Sequence, residues 1–105
     1  MEERFVRTQA LIGSEGLTRL NNANVALFGV GGVGSYAAEA LVRSGVGSLT
    51  LIYGDTVAKS NINRQLIALD STVGLPKAQV MAARAKDINP NCRITALNCF
   101  YDESN

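Results

Sequence analysis

The 105 residues make up about one small domain, which on folding hides roughly two-thirds of the surface its extended chain exposes, and at 47% hydrophobic they are not those of a disordered chain. Ten Lys and Arg against nine Asp and Glu leave a formal charge of +1, so any polyanion site must be local. With no histidine, and with Cys92 and Cys99 forming no C-x-x-C pair, the usual zinc constellations are excluded.

Residues 1–23 read as an amino-terminal helical segment. The helical pattern from Met1 to Asn22 breaks at Gly13, with Ser14 as the cap of the second piece and Leu17 and Leu20 packing it onto the body. Arg4 and Arg7 share a helical face and, taken alone, read as solvated charges. Residues 24–105 read as a nucleotide-binding βαβαβ half-domain. It opens on Val25 to Ser35, an apolar strand that turns into a glycine-rich loop and then a helix. Gly29, Gly31 and Gly34 supply the G-x-G-x-x-G spacing: one glycine for the tight turn, one for close approach of backbone to a phosphate, one for close packing of helix on strand. Gly32 adds a fourth position without a side chain. The helix start offers free amides and the positive end of its dipole to an anion.

In that helix Val33, Ala37, Leu41 and Val42 recur at helical spacing as the buried stripe, and Glu39 and Arg43 form an exposed i,i+4 pair. Gly45 to Gly47 end it. Ser48 to Tyr53 is the second strand, apolar on both faces as in a parallel sheet covered by helices, and Gly54-Asp55 is the turn at its carboxyl end, where such sheets place ligands. Asn61 to Leu69 suggests a short helix with Asn61 and Arg64 on one face. Pro76 suits the first turn of the next helix, whose apolar face is Ala78, Met81, Ala85 and Ile88. Lys77 stands at that helix start, where the dipole does not favour a cation, which points to placement for another purpose. A third strand spans about Cys92 to Asn98, and Tyr101 to Asn105 is where a further helix would begin. The fold class is therefore α/β: a Rossmann-like βαβαβ half of a doubly wound parallel sheet, with right-handed crossovers, preceded by the helical segment. Such a half-sheet leaves its edges unpaired and is expected to be the amino-terminal piece of something longer.

GVGGVGS over Gly29 to Ser35, SNINRQ over Ser60 to Gln65 and GLPK over Gly74 to Lys77, together with SGVGSLTL, resemble the ubiquitin-activating-enzyme-like (ThiF/MoeB-type) adenylyltransferases. RFVRTQALIGSEGL, GSYAAEALVRSGVG, INRQLIAL and STVGLPK are most similar to the family's tRNA threonylcarbamoyladenosine dehydratase branch. The resemblance implies ATP-dependent activation of a carboxylate: the carboxylate attacks the α-phosphate, pyrophosphate leaves, and an acyl-adenylate remains. It carries catalytic roles onto Arg64, Lys77 and Arg7. Arg64 and Lys77 match the pair that contacts the phosphates; Arg7, or else Arg4, matches an arginine that reaches the triphosphate of the neighbouring subunit in a homodimer. Asn61 matches the nucleotide-contacting asparagine, and Gly29, Gly31, Gly32, Gly34, Tyr53, Asp55 and Gln65 complete the expected nucleotide site. The implied partners are ATP with magnesium, whose ligand is expected beyond residue 105, and a tRNA or carrier-protein carboxylate.

The sequence departs from the family at Tyr53, where an aspartate normally holds the ribose hydroxyls. Loss of a hydrogen bond to a charged group, roughly 1.5 to 3 kcal/mol, would weaken ATP binding on the order of ten- to a hundred-fold. Asp55 is the candidate substitute. Two other readings use the same residues: a nicotinamide- or flavin-dependent oxidoreductase domain with Asp55 as the ribose acid, and a non-catalytic fragment that associates through its sheet edge. With no signal peptide pattern and no apolar run near 20 residues, a cytoplasmic setting with reduced thiols and no membrane partner is expected. Cys92 and Cys99 read as half-buried structural residues.

Overall fold

Three five-residue strands, β1 (Asn24–Phe28), β2 (Ser48–Ile52) and β3 (Arg93–Leu97), form a parallel sheet in the order β1-β2-β3 in the computed structural model, which describes residues 2–101. The helix start expected over Tyr101 to Asn105 therefore lies, past Tyr101, outside the described residues. Helix α2 (Gly32–Ser44) connects β1 to β2, and α3 (Lys77–Ile88) leads into β3. The two helices touch each other and the sheet, so both crossovers run over the same face, as a right-handed βαβαβ unit requires.

That arrangement decides the core. Val25, Leu49 and Ile94 stand in one row across the sheet, Leu27, Leu51 and Ala96 in another, and both rows pack under the helices with Val42, Met81 and Ala85. Each fully buried Leu, Val or Met side chain contributes about 1.5–3 kcal/mol over its exposed state. The opposite face differs from the expectation of a sheet covered on both sides. Phe28 is 60% exposed and Leu97 43% exposed, and Ala26 and Thr95 are also exposed. Two right-handed crossovers supply helices to one face only, so the outward members of the alternation stay half-buried or exposed; Tyr101 packs edge-to-face on Phe28.

Helix α1 (Val6–Asn21), preceded by a 3-10 turn over Glu3–Phe5, breaks at Gly13, whose φ of 78° lies in the region that favours glycine. Ser14 caps nothing with its hydroxyl; its carbonyl accepts the Thr18 hydroxyl at 2.9 Å. The end of α1 crosses the amino ends of the strands so closely that a Cβ on Gly47 would stand 1.8 Å from the Asn21 carbonyl oxygen. Leu17 reaches Gly45 in the same way, as its apolar spacing suggests.

The stripe of α2 is rotated from the expected one. Ser35, Ala38 and Val42 are buried, Ala37 and Leu41 are half-buried, and Val33 is 86% exposed. The tight seating of Gly34 on β1 sets the rotation and leaves Val33 pointing outward. Glu39, expected on an exposed pair, is instead mostly buried between Arg43 (3.3 Å) and Arg84 of α3. The α3 face of Ala78, Met81 and Ala85 is fully buried as read, with Ile88 half-buried.

Candidate functional site

The carboxyl edge of the sheet gathers the glycine loop, the end of β2 and the start of α3. Gly29 has φ 108°, and its amide donates to the Ile52 carbonyl at 2.9 Å, which fastens the loop to β2. A Cβ on Gly34 would stand 2.2 Å from the Gly29 carbonyl oxygen, so these two glycines serve the turn and the helix–strand approach. Gly31 and Gly32 are different. A Cβ on Gly32 would meet nothing within 4 Å, and one on Gly31 only the Gln65 Nε2 at 3.9 Å. The open space lies over the first turn of α2, whose initial amides have no partner within the helix. That space and those amides fit a phosphate.

Ser35 is the residue whose part in the loop went unread in the sequence. Fully buried, it donates from Oγ to the Gly31 carbonyl at 2.6 Å and so holds the loop against its helix. The signal was its position four residues after Gly31, the spacing at which a helical serine bonds back to the preceding turn.

Residues 61–69 do not form the expected helix. A 3-10 turn over Lys59–Asn61 continues into further turns, because the Asn61 side chain turns inward. Its Oδ1 accepts the Ala58 amide at 2.8 Å, and its carbonyl accepts the amides of Arg64 (3.1 Å) and Gln65 (2.9 Å). Asn61 is buried and Arg64 exposed, so they share no face. The Arg64 guanidinium folds onto its own turn, donating to the Ser60 carbonyl (3.1 Å) and Asn63 Oδ1 (2.8 Å). Gln65 is buried against the loop, and its Oε1 has no hydrogen-bond partner among the described residues.

A short antiparallel contact brings α3 to the end of β2. The Val57 amide donates to Leu75 (2.8 Å), the Gly74 amide to Val57 (2.8 Å) and the Lys77 amide to Asp55 (3.0 Å). Pro76, extended at ψ 129°, caps the helix and delivers Lys77 as its first residue. The Lys77 side chain is only 4% exposed; its Nζ lies 3.4 Å from Asp55 Oδ2 and 5.5 Å from the centre of the Tyr53 ring. Lys77 and Tyr53 are therefore brought together, and Asp55 with them.

Arg7 is exposed on α1, away from this edge. Arg4 is not simply solvated, since its guanidinium donates to the Ile88 carbonyl at the end of α3 at 2.8 Å. A cleft of about 630 Å³ lies between α1 and the amino ends of the strands, lined by Phe5, Gln9, Asn21, Asn89 and Arg93, at the opposite pole from the glycine loop. Among the described residues no three candidate metal-ligating side chains gather, and no helix is long and apolar enough to cross a membrane.

The ThiF family profile matches residues 4–105. The chain is 56% identical over 103 residues to the tRNA threonylcarbamoyladenosine dehydratase of Bacillus subtilis, covering 98% of this chain and 41% of that one. It is 39% identical over 90 residues to the molybdopterin-synthase adenylyltransferase of Escherichia coli, covering 86% and 36%. Among solved structures, E. coli tRNA N6-threonylcarbamoyladenosine dehydratase in complex with ATP superposes with a TM-score of 0.96 at 48% identity, over 98% of this chain and 42% of that one. The chain thus spans about two-fifths of the length of these relatives.

Proposed function

The chain belongs to the ThiF family, and we propose that it is the ATP-binding amino-terminal part of an adenylyltransferase that activates a carboxylate as an acyl-adenylate. The carboxylate we assign is that of threonylcarbamoyladenosine in tRNA, because identity to the dehydratase, at 56%, exceeds that to the molybdopterin-synthase adenylyltransferase, at 39%. A homodimer in the cytoplasm is part of this reading, with Arg7 of one copy reaching the site of the other.

The chemistry asks for little covalent participation by the protein. A carboxylate oxygen attacks the α-phosphorus, the bond from that phosphorus to the α,β-bridging oxygen breaks, and pyrophosphate departs with the charge. Donors fixed where that charge builds, in a site poor in water, are the largest source of rate. The amides over Gly31 and Gly32 offer such donors, Lys77 a positive charge, and Arg64 a second one once its guanidinium leaves Ser60 and Asn63. Asn61 holds the turn over residues 58–65, and Gln65 stands against Gly31 of the loop. Magnesium supplies charge neutralisation on the phosphates in such reactions. Among the described residues the carboxylate at this edge is Asp55, which accepts from the Thr56 amide and faces the Lys77 ammonium.

The observation that carries the reading is the buried ammonium of Lys77 at the same sheet edge as the open loop. Placing a cation at a helix start and out of water is costly, and a polyanion beside it offsets that cost. Titration of the chain with ATP, followed by calorimetry, tests it: Lys77→Met and Arg64→Ala are each expected to weaken binding about tenfold or more, a charge-assisted hydrogen bond being the interaction lost. Unchanged affinity in both variants removes the assigned roles. Tight binding of NAD without ATP would favour a dinucleotide site instead, which needs Asp55 free for a ribose.

A further inference from the structure

The ribose-reading position of this βαβ unit is filled by a ring. In mononucleotide-binding units of this kind an Asp or Glu about 20 residues beyond the glycine loop accepts hydrogen bonds from the ribose hydroxyls. Two residues stand at about that distance from Gly34, Tyr53 and Asp55. Tyr53 is held from three sides. Its amide donates to the Leu97 carbonyl at 3.1 Å, its ring meets Phe100 edge-to-face with centroids 5.5 Å apart, and the Lys77 ammonium lies 5.5 Å from its centre.

Asp55 is turned toward its own turn and toward Lys77. Its Oδ1 accepts the Thr56 amide at 2.9 Å, its Oδ2 faces Lys77 at 3.4 Å, and its carbonyl accepts the Lys77 amide at 3.0 Å. Both carboxylate oxygens are thus turned toward residues 56–77, with the side chain half exposed. At the end of β2, next to the loop through the Gly29–Ile52 hydrogen bond, the first position is thus a ring, and the carboxylate two residues on faces Lys77.

Resting on the ATP reading above, we propose that this site holds nucleoside triphosphates by their phosphates and does not distinguish ribose from 2′-deoxyribose, with Tyr53 as the residue responsible. A site built to bond a substrate hydroxyl rejects the analogue lacking it because its own polar group is left unpaired. A ring packed on Phe100 offers no carboxylate, only a neutral phenol hydroxyl, so no charged acceptor is left unpaired when the 2′-hydroxyl is removed.

The test is a parallel titration of the chain with ATP and 2′-deoxy-ATP, reading the backbone amide shifts of the loop glycines by NMR. The two dissociation constants are expected to agree within about threefold, and to keep that ratio in Tyr53→Phe. In Tyr53→Asp preference for ATP should rise about ten- to a hundred-fold, the value of a hydrogen bond to a charged group. A wild-type preference above tenfold overturns the inference. So does a Phe variant whose ratio moves beyond threefold, since the phenol hydroxyl would then be reading the sugar, or a folded Asp variant whose ratio stays put. If the Asp variant does not fold, the wild-type ratio and the Phe variant decide. Binding of neither nucleotide overturns the ATP reading itself and this inference with it.

Discussion

A methyl group on Gly34 would stand 2.2 Å from the carbonyl oxygen of Gly29. Backbone faces backbone there, so no side chain can move aside. Gly34→Ala is expected to destabilise the fold by on the order of 3 kcal/mol, whereas Gly32→Ala, with nothing within 4 Å, should change stability by less than about 1 kcal/mol. Urea unfolding of both variants checks the pair. The Gly32 variant should nonetheless bind ATP more weakly, since its methyl enters the space assigned to phosphate; equal affinity would remove that assignment.

Asn61 caps its own turn with a buried side chain. Asn61→Ala leaves the Ala58 amide without its acceptor and is expected to cost about 1–2 kcal/mol. Asn61→Asp keeps the acceptor oxygen and should recover most of that in the same denaturation experiment. If the Asp variant is as unstable as the Ala one, the acceptor is not what matters.

Glu39 ties α2 to α3. The hydrogen bond from Arg84 holds its carboxyl below the ordinary Glu range, more than burial raises it, and Arg43 adds to the same effect. A carboxylate with a depressed folded pKa contributes stability above its unfolded value, near 4.3, and loses it as pH falls through the folded value. Arg84 is 39% exposed, so solvent screens the pair and its worth is about 1 kcal/mol. Thermal unfolding of wild type and Glu39→Gln should therefore differ by that amount at pH 7 and converge below pH 4. A gap that persists in acid would place the effect in packing.

The two thiols should part company. Burial pushes the Cys92 thiol up, against a smaller pull from Lys86 and Arg93, and the residue is 1% exposed, whereas Cys99 is exposed. Iodoacetamide at neutral pH is expected to label Cys99 and to reach Cys92 only on unfolding, because the thiolate is the nucleophile and must be accessible. Mass spectrometry of the modified peptides decides it.

Much of this was legible in one dimension. The break at Gly13, the strand–loop–helix at Gly29 to Ser35 and the apolar face of α3 follow from residue types and spacings that act over a few residues, and the structure has them where the sequence puts them. Which glycine serves the turn and which the close packing was read from the structure, in the φ of Gly29 and the 2.2 Å approach at Gly34.

The rotation of α2, which exposes Val33 and draws Glu39 to Arg84, was not legible. Periodicity sets the spacing of a stripe but not its angle on the sheet, and that angle comes from a contact between two backbone segments. Whether Asn61 faces a ligand or its own turn, and whether Asp55 faces a sugar or Lys77, was likewise decided by the packing of residues 55–57 along 74–77, groups separated by some twenty positions of chain. The residue types are chosen locally; the directions in which the polar ones point are settled by partners that only the folded chain brings within hydrogen-bonding reach.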